Sequence, residues 1–185
     1  MIHHYQKLPL LSFLLFSSFV FGQLKIEKSS TRKFIEEASY TQINKDWSTT
    51  ARFKSGLNET VSFFPIEVID LKSNEKINAL QLDMFIKNPD LYKTAWVGLD
   101  EISEFVDFIE KHVIPNLDVK LKDQSQQFIF KAKEMTFSYF IYERRSRITI
   151  TLNDYESDVY KNYSFWTETR TDDIPELLPV LKKII

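Results

Sequence analysis

Residues 80–86, with the sequence LQLDMFI, place an apolar side chain at every second position. This period of two predicts a strand with one buried face. Further along the chain the period changes, because the apolar residues of 102–113 recur three or four positions apart, as on one face of a helix. The residues that carry the helical pattern are Ile102, Phe105, Val106, Ile109 and Val113. A half-buried strand and a nearby amphipathic helix together indicate a fold that mixes strands and helices.

Strand patterns occur on both sides of this stretch. Residues 61–71 and 92–97 predict two neighbouring strands, set off by polar residues 72–75 and by the break at 88–90. Further strands are predicted at 128–130, 135–141, 148–152 and 159–169, whereas residues 34–38 fit either a strand or a helix. A final helix is predicted from Asp173, and Pro179 should kink it or delay its regular part.

The short polar turns between these strands favour antiparallel pairing, because parallel neighbours need long crossovers. We therefore expect an α+β fold, a mainly antiparallel β-sheet with two amphipathic helices packed on one face. The helix at 100–113 (DEISEFVDFIEKHV) aligns without a gap with 172–185 (DDIPELLPVLKKII), and each follows a strand containing a tryptophan. This similarity suggests a duplicated βββα unit, although any two acid-capped amphipathic helices share such features.

Residues 1–22 have the features of a cleavable signal peptide. Lys7 lies in a polar start, an apolar run covers residues 8–20, and Gly22 provides a small residue before the expected cut. The run is shorter than the roughly 20 residues that a membrane-spanning helix needs. We expect an exported protein, periplasmic or extracellular, in which residues 23–185 form a single α+β domain with no membrane span after signal removal.

Composition argues against several classes of function. The chain carries 24 Lys and Arg against 26 Asp and Glu, which disfavours nucleic-acid binding. It has no cysteine, and His112 is the only histidine after the signal, which argues against a zinc or copper site and against a histidine-based nucleophile. Beyond the signal, Gly56 and Gly98 are too far apart for a phosphate-binding loop. We predict no cofactor and no metal.

Carboxylates are the remaining candidates for catalysis, as an acid–base pair. Adjacent acids at helix starts are, however, ordinary caps. Residues 153–158 could supply oxygen ligands for a cation but lack the glycine of a calcium loop. The carboxylates that a small hydrolase could use are Asp100, Glu101, Asp172, Asp173 and Glu168.

A basic hairpin tip is the first candidate for binding. It comprises Arg144, Arg145 and Arg147, with Lys131 and Lys133 expected on the neighbouring strand. Guanidinium groups suit a phosphate-bearing envelope glycan or a lipid head group. Charged turns also keep the ends of sheets soluble, which would explain the same residues without a ligand.

Aromatic side chains are the second candidate. Tyr155, Tyr160, Tyr163 and Trp166 outnumber what one sheet face needs, so some could recognise a sugar or a protein. A helix or the N-terminal segment could equally cover them. The hypothesis we prefer is a non-enzymatic exported domain that binds a glycan, protein or other envelope component. The alternatives are a small carboxylate-based hydrolase and a carrier of an apolar small ligand, which would need a cavity of a few hundred Å³.

Overall fold

A computed structural model describes residues 27–87, 90–153, 155, 162–168 and 170–185, with only the backbone of Glu168. The predicted signal peptide at residues 1–22 lies outside this part of the chain, as does Tyr160. Among the described residues, no helix is both long and apolar enough to cross a membrane.

The first half of the chain forms an antiparallel sheet of five strands, here called the N-terminal sheet. Its third, fourth and fifth strands pair in chain order, and the first two both pair with the third. The strands predicted at 61–71, 80–86 and 92–97 are confirmed. The five strands are β1 (Thr41–Lys45), β2 (Ala51–Lys54), β3 (Thr60–Asp70), β4 (Lys76–Ile86) and β5 (Leu91–Gly98).

The second half forms a separate four-stranded antiparallel sheet, the C-terminal sheet, whose strands pair strictly in chain order. The α+β class with antiparallel strands is therefore confirmed, and the strands form two sheets rather than one. The duplicated βββα unit stays a prediction. The four strands are β6 (Ser125–Lys131), β7 (Met135–Tyr142), β8 (Arg145–Asn153) and β9 (Asn162–Glu168).

The two predicted helices are present, each extended by irregular turns. The first, α2 (Leu99–Phe108), continues as a π-helical segment (Ile109–Val113) and ends in a 3₁₀ turn that contains Pro115. The other, α3 (Leu177–Lys182), follows a 3₁₀ turn (Ile174–Glu176). Pro179 lies in the first turn of α3, where its missing N–H removes no helical hydrogen bond. The regular part of this helix thus begins at Leu177, later than the predicted start at Asp173, as expected from the position of Pro179.

One hydrophobic cluster joins both sheets and both of these helices. The alternating residues of 80–86 and the apolar face of 102–113 point into it, as their periods predict. At its centre Phe105 stacks on Phe130 with ring centroids 4.6 Å apart and lies 5.7 Å from Phe137. The helices therefore cover the inner faces of the sheets.

A third helix, α1 (Ser30–Glu37), covers part of the outer face of the N-terminal sheet. The side-chain oxygen of Ser29 caps it by accepting the Arg32 N–H at 3.0 Å. Phe34 and Ile35 of α1 pack on a second apolar cluster, formed by Phe64, Ile66, Val68 and Ala79. Because α1 covers one side and α2 and α3 the other, the middle of β3 is buried on both faces.

Candidate functional site

The turn between β7 and β8 lines a cleft of about 830 Å³, here called the basic cleft. Arg144 and Arg145, two residues of the predicted basic tip, lie on one side of it. Lys120 and Lys122 contribute from the loop that precedes β6, a contribution not expected from the sequence. The complete lining is Lys120, Leu121, Lys122, Asp123, Glu143, Arg144 and Arg145.

Backbone geometry holds the two sides of the basic cleft together. The Leu121 N–H donates to the Glu143 carbonyl oxygen at 2.7 Å, and this backbone hydrogen bond ties the loop before β6 to the turn between β7 and β8. Both acidic residues of the lining, Asp123 and Glu143, adopt left-handed backbone conformations, with φ of 57° and 52°. These bends let the chain turn within a few residues and leave the four cations around the opening.

The charges of the basic cleft are unbalanced. Four cationic side chains face two carboxylates, and all six residues are exposed. Within the described part of the chain, none of the four cations is in an ion pair. An excess of positive charge around one opening attracts a negatively charged ligand.

The other basic residues of the predicted tip lie elsewhere. Arg147 is on the outer face of the C-terminal sheet, with its guanidinium 5.4 Å from the Phe140 ring centre and its backbone opposite Glu168. Lys131 and Lys133 lie at the far end of the β6–β7 hairpin, where the Lys133 ammonium pairs with Asp100 at 2.8 Å. The structure thus joins only Arg144 and Arg145 of the predicted residues in the cleft.

The predicted aromatic candidates do not share one surface. Trp166 is on the outer face of the C-terminal sheet and is 47% exposed. Tyr163 is on the inner side, where it pairs with Leu152, packs against the main core and lies 5.3 Å from the Lys93 ammonium. The Tyr155 ring stacks on the Arg32 guanidinium at 4.3 Å. Of these three rings, Trp166 is the one placed to meet a ligand in solution.

Sequence reasoning missed a buried carboxylate, Glu134, which is 0% exposed. It accepts five hydrogen bonds. Two come from the Arg32 guanidinium, two from the backbone N–H and hydroxyl of Ser29, and one from the backbone N–H of Trp96. The Arg32 guanidinium lies over the Trp96 ring at 4.6 Å. We call Ser29, Arg32, Trp96 and Glu134 the Glu134 cluster. With this many donors its carboxylate is already satisfied, which makes it a structural group.

A groove of about 660 Å³ runs between α1 and the outer face of the N-terminal sheet. Phe34, Ile77 and Leu99 give it apolar walls. Thr31 also lines it, and its buried hydroxyl has no hydrogen-bond partner among the described residues. A buried hydroxyl without a partner is uncommon and costs free energy unless a ligand or water satisfies it.

The two acids at the start of α2 are both engaged in hydrogen bonds within the fold. The Lys133 ammonium and the Ser30 hydroxyl donate to Asp100 and hold the pKa of its carboxyl below the ordinary value. Burial raises the pKa of Glu101, which accepts the Lys133 backbone N–H at 2.8 Å and the Gly98 N–H at 3.4 Å. Gly98 itself leaves room for Ser30 and Asp100, which a β-carbon there would strike. Neither acid lines the cleft or the groove described above.

Among the described side chains, the other acids and the histidine considered as candidates for catalysis or metal binding do not line the basic cleft. Asp172 and Asp173 are exposed beside the 3₁₀ turn that precedes α3, and His112 is exposed on the π-helical segment. In the part of the chain that is described, no group of His, Cys, Asp and Glu side chains could hold a metal ion.

No protein-family model, no curated protein and no solved structure matches this chain.

Proposed function

We propose that this chain is an exported, non-enzymatic binding domain that holds an anionic ligand in the basic cleft. The observation that carries the proposal is the set of four cations around one opening. Two of them are arginines, whose planar donors match phosphate and carboxylate oxygens in pairs. The leader-like stretch at residues 1–22 supports a site of action outside the cytoplasm.

The arrangement of the carboxylates supports binding over turnover. Acid–base hydrolysis needs two carboxyl groups that face each other across a substrate cleft. Here Asp100 is paired with Lys133, Glu101 caps the start of α2, and Glu134 is enclosed by donors. The ligand would therefore be held by charge and hydrogen bonds and released unchanged.

Replacing both cleft arginines tests this proposal. We expect Arg144→Ala with Arg145→Ala to weaken the binding of pyrophosphate roughly tenfold, because each exposed charged contact contributes a modest free energy. Isothermal titration at about 0.15 M ionic strength measures the dissociation constant, where long-range attraction between exposed charges is largely screened.

A charge-matched variant provides the control. Lys54→Ala with Lys72→Ala removes the same charge from exposed positions, one on β2 and one in the turn between β3 and β4. It should leave the dissociation constant within a factor of two of the parent, roughly 0.4 kcal/mol. Equal weakening by both double variants would assign the attraction to overall charge and refute the cleft as the site.

A carrier of a small ligand is the second candidate, and the groove beside α1 favours it. Its volume suits a small molecule, and Thr31 offers a buried hydroxyl to a polar atom of an otherwise apolar ligand. This groove is on the outer face of the N-terminal sheet, whereas the main core lies on the inner face.

Native mass spectrometry of the chain purified from the organism that makes it tests the carrier. We expect extra mass that is lost on denaturation, and a smaller loaded fraction for Thr31→Val, which keeps the shape of the side chain and removes the hydroxyl. Ser48→Ala, at an exposed hydroxyl away from the groove, is the control. A bare protein in every case would exclude the carrier.

A further inference from the structure

The outer face of the C-terminal sheet continues from the basic cleft. Cross-strand partners share a face of a sheet, and Arg145 pairs with Tyr142, one residue from the turn. Every second position on β7 and β8 belongs to the same face, which places Phe140 beside Arg147 and Ser138 beside Thr149. Arg145 is thus both a wall of the cleft and the first residue of this face.

Trp166 lies further along the same face. It pairs with Thr149, four residues from Arg145 on β8. At a rise of about 3.4 Å per residue, these two positions are roughly 14 Å apart along the strand. One small anion in the cleft could not reach the tryptophan, whereas a chain of linked units could contact both.

The surroundings of Trp166 suit sugar rings. Hydroxyl side chains of Thr149, Thr151 and Ser164 neighbour it, and the Thr151 and Ser164 oxygens are 2.9 Å apart. A hydroxyl can both donate and accept a hydrogen bond, as the hydroxyls of a sugar require. The exposed indole offers a flat apolar surface to a sugar ring. An acyl chain, by contrast, would gain nothing from so many hydroxyl groups.

We propose that the ligand is an acidic polysaccharide, bound with acidic groups in the basic cleft and with a sugar ring on Trp166. The inference rests on the proposed function, because it uses the same cleft. It adds the chemical class of the ligand, a direction along β8 and a second point of contact. Arg147 is not counted among the binding cations, because its guanidinium lies over the Phe140 ring.

The dependence of affinity on chain length tests the inference. We expect a galacturonate hexamer to bind at least about fivefold more tightly than the dimer, the effect of one added aromatic contact. Trp166→Ala should remove this gain and leave pyrophosphate binding unchanged, and Trp166→Phe should restore part of it. Trp47→Ala, at an exposed ring beside the N-terminal sheet, should change neither.

The possible failures are distinguishable. If Trp166→Ala retains the gain from dimer to hexamer, or the parent shows none, the polysaccharide inference is overturned while pyrophosphate binding still decides the proposed function. If the Arg144→Ala and Arg145→Ala double variant binds pyrophosphate and the hexamer as the parent does, both proposals fail. Binding to phosphatidylglycerol vesicles without binding to the hexamer would replace the polysaccharide by a membrane surface.

Discussion

Replacing Glu134 by alanine should lower the free energy of unfolding by about 3–5 kcal/mol, the usual cost of removing one partner of a buried ion pair. The loss is large because the Arg32 guanidinium, mostly buried, would keep its charge without a counterion. The Ser29 hydroxyl and the backbone N–H of Trp96 would also lose their acceptor. Urea unfolding measures the change, and the melting temperature should fall by roughly 10 °C.

The effect should be greatest at α1. This helix is tied to the C-terminal sheet through Ser29 and Arg32, so hydrogen exchange of its amides should quicken more than that of β4. Glu36→Ala provides the matched control, because Glu36 lies on the same helix in the exposed ion pair with Lys28. That change should cost under about 1 kcal/mol. A Glu134→Ala protein as stable as the control would show that the Glu134 cluster contributes little.

Replacing Asp83 by asparagine should cost about 2 kcal/mol at neutral pH, within the range for hydrogen bonds to charged groups. Asp83 is 6% exposed on the outer face of β4 and accepts from the Lys45 ammonium at 2.5 Å, Gln81 at 2.7 Å and Thr94 at 3.0 Å. Asparagine keeps the size of the side chain but leaves Lys45 without its counterion. Urea unfolding of both proteins at pH 7 measures the cost.

The cost should shrink in acid. Burial opposes ionisation of Asp83, yet hydrogen bonds from Lys45, Gln81 and Tyr92 outweigh it and hold the pKa of the carboxyl below its ordinary value of 3.8. The stabilisation by this carboxylate is therefore complete above pH 3.8 and is lost as the pH falls through its lower pKa in the folded protein. The two unfolding curves should differ at pH 7 and pH 5 and approach each other near pH 2. A difference that grows in acid would contradict this assignment.

Periodicity predicted most of the fold because burial repeats along each element. The alternating residues of 80–86 and the helical face of 102–113 each have one apolar side, and each is buried on that side. The division into two sheets was not predictable, because a period of two identifies a strand without naming its neighbour. Helix α1 was missed because residues 34–38 are too few to separate the two periods.

The part of the candidate site that is formed by residues close together in the sequence was predictable. Arg144 and Arg145 stand in and beside a tight turn, and the turn was visible in the sequence. Lys120 and Lys122 were not, because a single backbone hydrogen bond from Leu121 to Glu143 brings their loop to the turn. Glu134 was missed for a similar reason: beside Lys133 it resembles an exposed turn residue, and its partners lie 102 to 105 residues earlier, or on β5.

The residues that make these contacts are far apart in the sequence, and this separation limits the order in which the protein can assemble. Ser29 and Glu134 are 105 residues apart, and the Tyr155 hydroxyl donates to the Glu27 carbonyl oxygen from still further along the chain. A polypeptide is synthesised from its N-terminal side, so Ser29 is made 105 residues before Glu134. Helix α1 therefore cannot be fixed to the C-terminal sheet until the β6–β7 hairpin has been made, and contacts between such distant residues form slowly.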